Sequence, residues 1–303
     1  MRFLLLPTLV ASLASALPSY QQLSARDDAA TPVFAADGWI EVIAARSNGE
    51  LLLPYTHKPE LWSLNPQTNK TTKIATFPNA WGLTGITEVS HDFWAVSAGN
   101  FSTTNFTLQR GSWSVWTVDL RGKEPKTTFV KQIPGSGFFI GSTPLGHNNI
   151  MIADAGQGIL FKMNVLTGDY SVISNDTSMS PNGGLAGIHG VHWVKGHAYY
   201  TNTFGGGFWK IKVDHSGKAI GAPTQIAPFT RPEDFAFTPD GSAYAGMMTG
   251  GIWKISPDGN VTKFVDVEPP TSVVFGRGKN DKSVLYISTA KGDLFKATVP
   301  GLR

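Results

Sequence analysis

The side chains best suited to proton transfer in this 303-residue sequence are one histidine and three carboxylates, which lie in three separate segments. His189 stands between two nearby glycines, which leave room beside its imidazole. Glu41 begins a short apolar run, and Glu233 and Asp234 are adjacent in a third segment. An imidazole close to a carboxylate can accept or donate a proton near neutral pH. If the fold brings these segments together, the sequence holds the parts of an acid–base site.

Each of these candidates also has a structural interpretation, which stays open at the level of sequence. His189 could be a hydrogen-bonded core histidine, and Glu41 could be an exposed carboxylate at a rim. One carboxylate of the pair 233–234 could serve as the partner of Arg231, which lies two residues before that pair. Asn202 follows a strand-like run and is of a type common in turns.

The elements that position these residues are marked by a sixfold repeat. Each copy has an apolar residue, then Trp or Phe, one spacer and another apolar residue; the aromatic positions are Trp62, Trp116, Phe161, Trp209, Trp253 and Phe295. Their spacings are 54, 45, 48, 44 and 42 residues. A period in the forties with strand-like content is typical of a β-propeller. We therefore predict an all-β, six-bladed propeller of four-stranded antiparallel blades, with the six aromatic positions in the core.

The blade limits follow from this period and from turn signals. We predict blades at about residues 39–78, 80–134, 135–176, 183–229, 230–267 and 268–300. The second is longest, and its excess at 99–111 reads as a solvated loop. The sixth looks one strand short, and residues 32–35 are predicted to supply that strand and close the ring.

This architecture places the starts of the inner strands around an axial channel. Glu41, His189 and the pair 233–234 are therefore expected to converge on the axis from three directions. His192 lies three residues after His189, so regular strand alternation sends the two side chains to opposite faces. On that basis we do not expect the two histidines to share a metal ion.

The amino terminus predicts entry into the secretory pathway. Residues 1–16 have a basic start, an apolar run and a small-residue cleavage site, residues 17–31 read as a disordered leader, and residues 32–303 as the propeller. Five Asn-x-Ser/Thr acceptors fit a secreted glycoprotein: Asn69, Asn100, Asn105, Asn175 and Asn260. The chain has no cysteine, so its core must hold the fold without disulfides.

Several functional classes are disfavoured. The net charge is only +3, and no basic cluster interleaved with aromatics suggests nucleic acid as a partner. No apolar stretch is long enough for a membrane span. Phosphate-loop, dinucleotide and nucleophile-elbow motifs are absent. An unpaired outer strand could support a homodimer.

Several segments resemble fungal six-bladed propellers related to the senescence-marker-protein/gluconolactonase superfamily. They are Arg46–Leu53, Gly82–Val89, Val96–Ser102, Gly187–Val191, Tyr199–Thr203, Glu233–Phe237 and Pro270–Arg277. The likeness extends from about residue 32 to the carboxyl terminus. Lactonases of this superfamily bind a divalent cation, and their ligand positions fall on Glu41, His189 and Asp234. An imidazole in place of an amide, and no partner for a further Asn ligand, disfavour calcium, which prefers six to eight oxygens.

The fungal branch that the chain resembles includes hetero-Diels–Alderases of tropolone-sesquiterpenoid biosynthesis. The resemblance implies coupling of a polyketide-derived, tropolone-type quinone methide, formed by dehydration, with a humulene-type sesquiterpene, without a cofactor. His189 would then transfer a proton or bind oxygen, Asp234 or Glu41 would orient it, and Glu233, Asn202 and Thr271 would bind substrate. The alternatives are a calcium- or zinc-dependent lactonase and a non-catalytic secreted binding propeller.

Overall fold

The protein is seen in a computed structural model that describes residues 30–302. Its regular structure is β throughout these residues except for one short 3-10 helix, Thr177–Met179. Residues 1–16, the predicted signal peptide, and 17–29 of the predicted leader lie outside the described residues. In the described part, no helix has the length and apolar character needed to cross a membrane. Six four-stranded antiparallel sheets follow one another along the chain, which confirms the predicted propeller.

The first three blades each begin with their innermost strand. Blade 1 comprises β2 to β5, at Ala44–Ala45, Leu51–Pro54, Glu60–Asn65 and Lys70–Thr76. Blade 2 comprises β6 to β9, at Gly82–Ser90, Phe93–Gly99, Ser114–Asp119 and Lys126–Gln132. Blade 3 comprises β10 to β13, at Phe139–Gly146, Asn149–Asp154, Ile159–Asn164 and Tyr170–Ser174.

The last three blades follow the same order. Blade 4 comprises β14 to β17, at Ile188–Val194, His197–Asn202, Phe208–Val213 and Ala219–Ala227. Blade 5 comprises β18 to β21, at Pro232–Phe237, Ala243–Met247, Ile252–Ile255 and Val261–Val265. Blade 6 contains β22 to β24, at Pro270–Phe275, Val284–Thr289 and Asp293–Thr298.

An amino-terminal strand completes the sixth blade. Strand β1, Thr31–Ala35, pairs antiparallel with β24, and the sheet order is β1-β24-β23-β22. The prediction that residues 32–35 close the ring is confirmed, and the strand begins one residue earlier, at the end of the predicted leader. Because the first described strand joins the last blade, the ring is held shut by backbone hydrogen bonds instead of a disulfide.

The repeated aromatic phrase marks the third strand of every blade. The apolar neighbours of the aromatic residue form the core: Leu61 and Leu64 in blade 1, for example, are fully buried. The prediction that the aromatic positions are all core was too broad, because only Phe161 among the six falls in the buried class. Successive side chains of a strand point to opposite faces. In blade 1, Trp62 therefore lies on the other face from Leu61 and on the same face as Leu64, where it keeps part of its surface exposed.

The long loop of blade 2 is only partly solvated, contrary to the prediction. It joins β7 to β8, and its Phe106 is 54% exposed, as expected of a solvated tip. Phe101, however, is buried and packs edge-on against Trp39, with ring centroids 5.8 Å apart. Since Trp39 precedes the inner strand of blade 1, the loop packs against the segment that leads into that strand.

The predicted glycan acceptors lie in turns and loops or next to them. Asn69, Asn105, Asn175 and Asn260 are exposed, and their glycosylation stays a prediction. Asn100 is partly buried, donates a hydrogen bond to Gln109 at 2.6 Å and accepts one from a backbone N–H at 3.0 Å. A sugar attached to Asn100 would replace one of the two hydrogens on Nδ2, the atom that donates the first of these bonds.

Candidate functional site

Three of the predicted residues meet at the starts of inner strands from blades 1, 4 and 5. His189 Nε2 lies 2.9 Å from Glu41 Oε1 and 3.0 Å from Glu233 Oε2. All three side chains are buried, with side-chain exposures of 3%, 4% and 8% respectively. We call these residues the buried triad. The expected convergence on the axis is confirmed for these residues, but the second carboxylate beside His189 is Glu233 instead of Asp234.

Close packing of the inner strands makes this convergence attainable. A Cβ on Gly190 would lie 2.7 Å from Asp234 Oδ1 and 2.9 Å from Asp234 Cα, so only glycine permits the approach of β14 to β18. A Cβ on Gly141 would lie 2.2 Å from the backbone oxygen of His189, with the same consequence for β10 and β14. The glycine beside the histidine therefore makes room for a neighbouring strand, and the imidazole is held between two blades.

Burial and charge act in opposite directions on the triad. Burial alone would lower the pKa of His189, but the neighbouring carboxylates of Glu233 and Glu41 raise that pKa well above its ordinary value. Burial raises the pKa of Glu233, against the effect of the adjacent imidazole. Both shifts favour the protonated forms, so His189 and Glu233 retain protons at a pH where exposed counterparts would lose them.

Trp39 contributes a contact that the sequence did not reveal. Its indole Nε1–H donates a hydrogen bond of 2.6 Å to Glu41 Oε2, which leaves the other oxygen of that carboxylate for His189. The aromatic contact of Trp39 with Phe101 holds the indole in place. The second ring nitrogen of His189, Nδ1, is buried and has no hydrogen-bond partner among the described residues.

Asp234 faces a different set of partners from its neighbour in sequence. Its Oδ2 accepts a hydrogen bond of 2.6 Å from Ser272 Oγ, and its Oδ1 lies 3.5 Å from His192 Nε2. Ser272 Oγ in turn accepts a hydrogen bond of 3.3 Å from the backbone N–H of Ile43. Adjacent residues of β18 thus serve two separate groups: Glu233 joins the triad and Asp234 joins His192.

The prediction that His189 and His192 point to opposite faces was wrong. The pairing of β14 with β15 shifts register between Ile188 and Val191, as at a β-bulge. An extra residue in a strand reverses the alternation beyond it, so both imidazoles reach carboxylates on β18. A single sequence does not reveal where a bulge lies, so the sequence analysis did not include His192 among the candidate site residues.

An axial cavity of about 350 Å³ lies next to Asp234 and receives side chains from the inner strands of all six blades. Apolar residues form much of its wall; they include Val42, Ile86, Val191 and Val273. Its ionisable lining residues are Glu88, His192, Asp234 and Arg277. In blades 1, 4 and 5, all the residues that line the cavity come later in the sequence than the triad residue of the same blade. The cavity therefore lies farther along the inner strands than the triad.

The remaining predicted substrate-binding residues make structural contacts. Asn202 donates to the backbone oxygens of Ser178 and Ser180, both at 2.8 Å, and accepts from Gly205 N–H at 2.7 Å. Thr271 donates a 2.6 Å hydrogen bond to the backbone oxygen of Ile40. Neither residue lines the axial cavity. Their role in substrate binding stays a prediction.

The triad brings together three side chains of types that can ligate a divalent cation. One ligand atom from each residue can be chosen so that all three lie within 4.8 Å of one another. Two carboxylates supply at most four of the six to eight oxygens that calcium prefers, and one of these, Glu41 Oε2, already accepts from Trp39, so this donor set suits calcium poorly. A transition metal accepts this donor set, yet histidine ligands generally donate their second N–H to a partner, and His189 Nδ1 has none among the described residues. The triad therefore does not fit calcium and fits a transition metal incompletely.

Comparisons with known proteins agree with the fold and point to an enzyme family. The family model described as SMP-30/Gluconolactonase/LRE-like region matches residues 42–291. A Phoma protein provisionally named a hetero-Diels-Alderase is 23% identical over 295 residues, covering 82% of this chain and 83% of the relative. A second protein with that provisional name, from Sarocladium schorii, is 24% identical over 315 residues, covering 88% of this chain and 77% of the relative.

A solved structure with the same architecture is the calcium-binding protein regucalcin from Agrobacterium tumefaciens. It superposes with a TM-score of 0.63 at 12% identity, covering 89% of this chain and 95% of that one. At this identity the likeness shows the fold alone. Calcium binding by that protein therefore says nothing about this chain, whose own donor atoms determine how well it fits calcium.

Proposed function

Because the chain belongs to the SMP-30/gluconolactonase/LRE-like family, we propose that it is a cofactor-free pericyclase of fungal secondary metabolism. It couples a tropolone-type quinone methide, formed by dehydration, to a humulene-type sesquiterpene in a hetero-Diels–Alder reaction. The observation that carries this proposal is the apolar axial cavity beside a buried, proton-retaining triad. The provisional names of the two fungal relatives support the same reaction class.

The reaction needs two chemical contributions, and the first is orientation. The heterodiene and the alkene form one C–C and one C–O bond together, with no change in overall oxidation state and no nucleophile. Holding two reactants in a reactive geometry lowers such a barrier by up to about 7–11 kcal/mol in model systems. The cavity volume of about 350 Å³ lies in the range of about 300–1,000 Å³ common to small-molecule sites. Its apolar walls suit a hydrocarbon partner.

The second contribution is acid catalysis of the dehydration. The hydroxyl of a hydroxymethyl group gains a proton and leaves as water, its carbon becomes the methylene of the quinone methide, and the tropolone hydroxyl loses a proton, so that atoms and charge balance. We assign the source of this proton to His189, whose raised pKa keeps the imidazole charged; because no triad residue lines the cavity, the proton would reach a bound substrate through an intervening water. Glu41 and Glu233 hold this imidazole in place, and Asp234 extends the carboxylate set to the cavity wall.

The proposal is tested by incubating the purified protein with a hydroxymethyl-tropolone precursor and humulene. We expect one stereoisomer of the adduct to form faster than in buffer. Ala236→Phe places a bulky side chain in the cavity and should lower this rate about tenfold or more, at a stability cost of about 1–3 kcal/mol. Ala290→Phe, at an exposed turn, is the matched control. A rate equal to that in buffer, or an unaffected Ala236→Phe variant, contradicts the proposal.

The proximity of the triad ligands favours a second candidate, a metal-dependent lactonase. In that case Glu41, His189 and Glu233 would hold a transition metal, which would polarise a lactone carbonyl. Elemental analysis of purified protein, with lactone hydrolysis assayed before and after chelation, distinguishes the two functions. One metal ion per chain and chelator-sensitive hydrolysis would favour the lactonase.

The expected location is the secretory pathway or the medium, and the expected substrates are small polyketide-derived and terpene molecules. Both expectations rest on the amino-terminal sequence and the fungal resemblance. Expression with the native amino terminus, followed by immunodetection in medium and cell fractions, tests the first. Retention of the uncleaved chain in the cytosol would exclude it.

A further inference from the structure

The two histidines of β14 differ in their access to the axial cavity. The side chain of His189 is 3% exposed, and none of the three triad residues lines the cavity. The side chain of His192 is 36% exposed and does line it. A molecule in this cavity therefore meets His192, while the triad lies behind the wall formed in part by Asp234.

His192 also has an arrangement suited to proton exchange. Its Nε2 faces Asp234 Oδ1 at 3.5 Å, a loose contact of the kind that tightens when a substrate binds. The other oxygen of Asp234 is fixed by Ser272 at 2.6 Å, and the 2.7 Å approach to the Cβ position of Gly190 limits movement of the carboxylate. The imidazole packs edge-on against Phe235, with ring centroids 4.7 Å apart. Asp234 thus orients the ring without burying it.

Among the ionisable residues lining the cavity, His192 is the one suited to meet a ligand oxygen. Arg277 pairs with Glu88 through Nη1, which also donates to the backbone oxygen of Ala45 at 3.1 Å, and its guanidinium stays protonated, so it cannot accept a proton from a ligand. Asp234 accepts from Ser272 and is not a hydrogen-bond donor when ionised. The imidazole of His192, by contrast, has a second ring nitrogen, Nδ1, that makes no hydrogen bond to the described residues.

We propose that His192, positioned by Asp234, is the catalytic residue that accepts the proton of an acidic enol or tropolone hydroxyl in the axial cavity. The O–H bond breaks, the proton passes to a ring nitrogen, and the resulting imidazolium donates a hydrogen bond to the same oxygen. After the hydroxyl of the hydroxymethyl group has gained a proton and left as water, that hydrogen bond polarises the quinone-methide oxygen. This assignment rests on the proposed function and adds a second proton-handling group, distinct from the buried triad.

Binding of tropolone itself tests the assignment without requiring turnover. Tropolone and its anion differ in ultraviolet absorption, so proton transfer to the protein is visible as a spectral change on binding. We expect the wild-type protein to bind tropolone as the anion at a pH below the solution pKa of tropolone. His192→Asn should weaken binding about tenfold or more and abolish the spectral change. His147→Asn is the control, because His147 lies in an exposed turn at φ 51°, which Asn tolerates.

A second variant keeps the test decisive if His192→Asn folds poorly. Asp234→Asn leaves the imidazole in place but removes its charged partner, so we expect a smaller anion signal with tropolone still bound. An undiminished spectral change in His192→Asn, or no tropolone binding by the folded wild-type protein, overturns the assignment. If tropolone binding depends on His192 but no adduct forms with humulene, the binding site is supported and the proposed coupling reaction is contradicted. If folded His192→Asn forms the adduct at the wild-type rate, His192 is not catalytic, but the proposed reaction class is still supported.

Discussion

Replacing His189 with alanine should destabilise the fold, since the imidazole is the shared partner of two buried carboxylates. Glu41 and Glu233 would lose contacts of 2.9 and 3.0 Å while remaining out of water. Removing one partner of a buried ion pair costs about 3–5 kcal/mol. We expect about 3 kcal/mol, at the lower end, because Trp39 still donates to Glu41 and the raised pKa of Glu233 favours its neutral form.

Urea denaturation at pH 7, followed by tryptophan fluorescence, measures this cost. With a slope of about 3 kcal/mol per M for a chain of this size, the midpoint of His189→Ala should fall by about 1 M. Adding Glu233→Gln to His189→Ala removes one of the two unpaired carboxylates and should restore at least about 1 kcal/mol of the free energy of unfolding. His147→Asn, at an exposed turn whose positive φ Asn tolerates, should stay within about 0.5 kcal/mol of the wild type.

Two results would refute this reasoning. A His189→Ala variant within about 1 kcal/mol of the wild type would mean that the carboxylates do not depend on the imidazole. Strict additivity of His189→Ala and Glu233→Gln would mean that the two side chains do not interact. A large cost also bears on activity assays, because loss of product by His189→Ala is informative only where the variant is folded.

The remaining predictions concern pH and ring closure. His189 and Glu233 have folded-state pKa values raised above their unfolded ones, so their protons stabilise the fold fully below the unfolded pKa of each and less as pH rises through the folded pKa. The unfolding temperature should therefore fall as pH rises from 7 towards 10, with a shallower fall in His189→Gln; equal slopes would contradict this. Deleting Thr31–Ala35 removes four registered pairs with β24, worth about 4 kcal/mol at about 1 kcal/mol each, so calorimetry should show a melting temperature lower by about 10 °C. Unchanged melting would show that β1 does not hold the ring closed.

Much of the fold could be predicted because the signal repeats. Six copies of one aromatic phrase mark the third strands, and turn signals between them set the blade limits. The closing strand followed from the count, since a sixth blade with three strands leaves an open edge. The repeat could not assign the aromatic side chains to a face, because their burial depends on packing of the outer strands.

The site was predictable only in part. Glu41, His189 and Glu233 begin inner strands, and their convergence follows from the ring alone. The choice between Glu233 and Asp234 as the partner of His189 required the structure, because adjacent residues of one strand differ in direction. Ser272 gave no signal in the sequence, since a serine in a strand has no distinguishing feature until its partner is known.

By itself, the sequence determined the architecture, because hydrophobic periodicity and turn chemistry are local properties repeated along the chain. It also determined which residue types stand at the starts of the inner strands. Only the tertiary structure decided that the histidine near the glycines is sealed between Glu41 and Glu233, and that a register shift turns His192 towards Asp234 and the cavity. These are contacts between blades, set by strand register and the close approach of backbones at Gly190. Such contacts join residues far apart in the chain, and no local pattern encodes them.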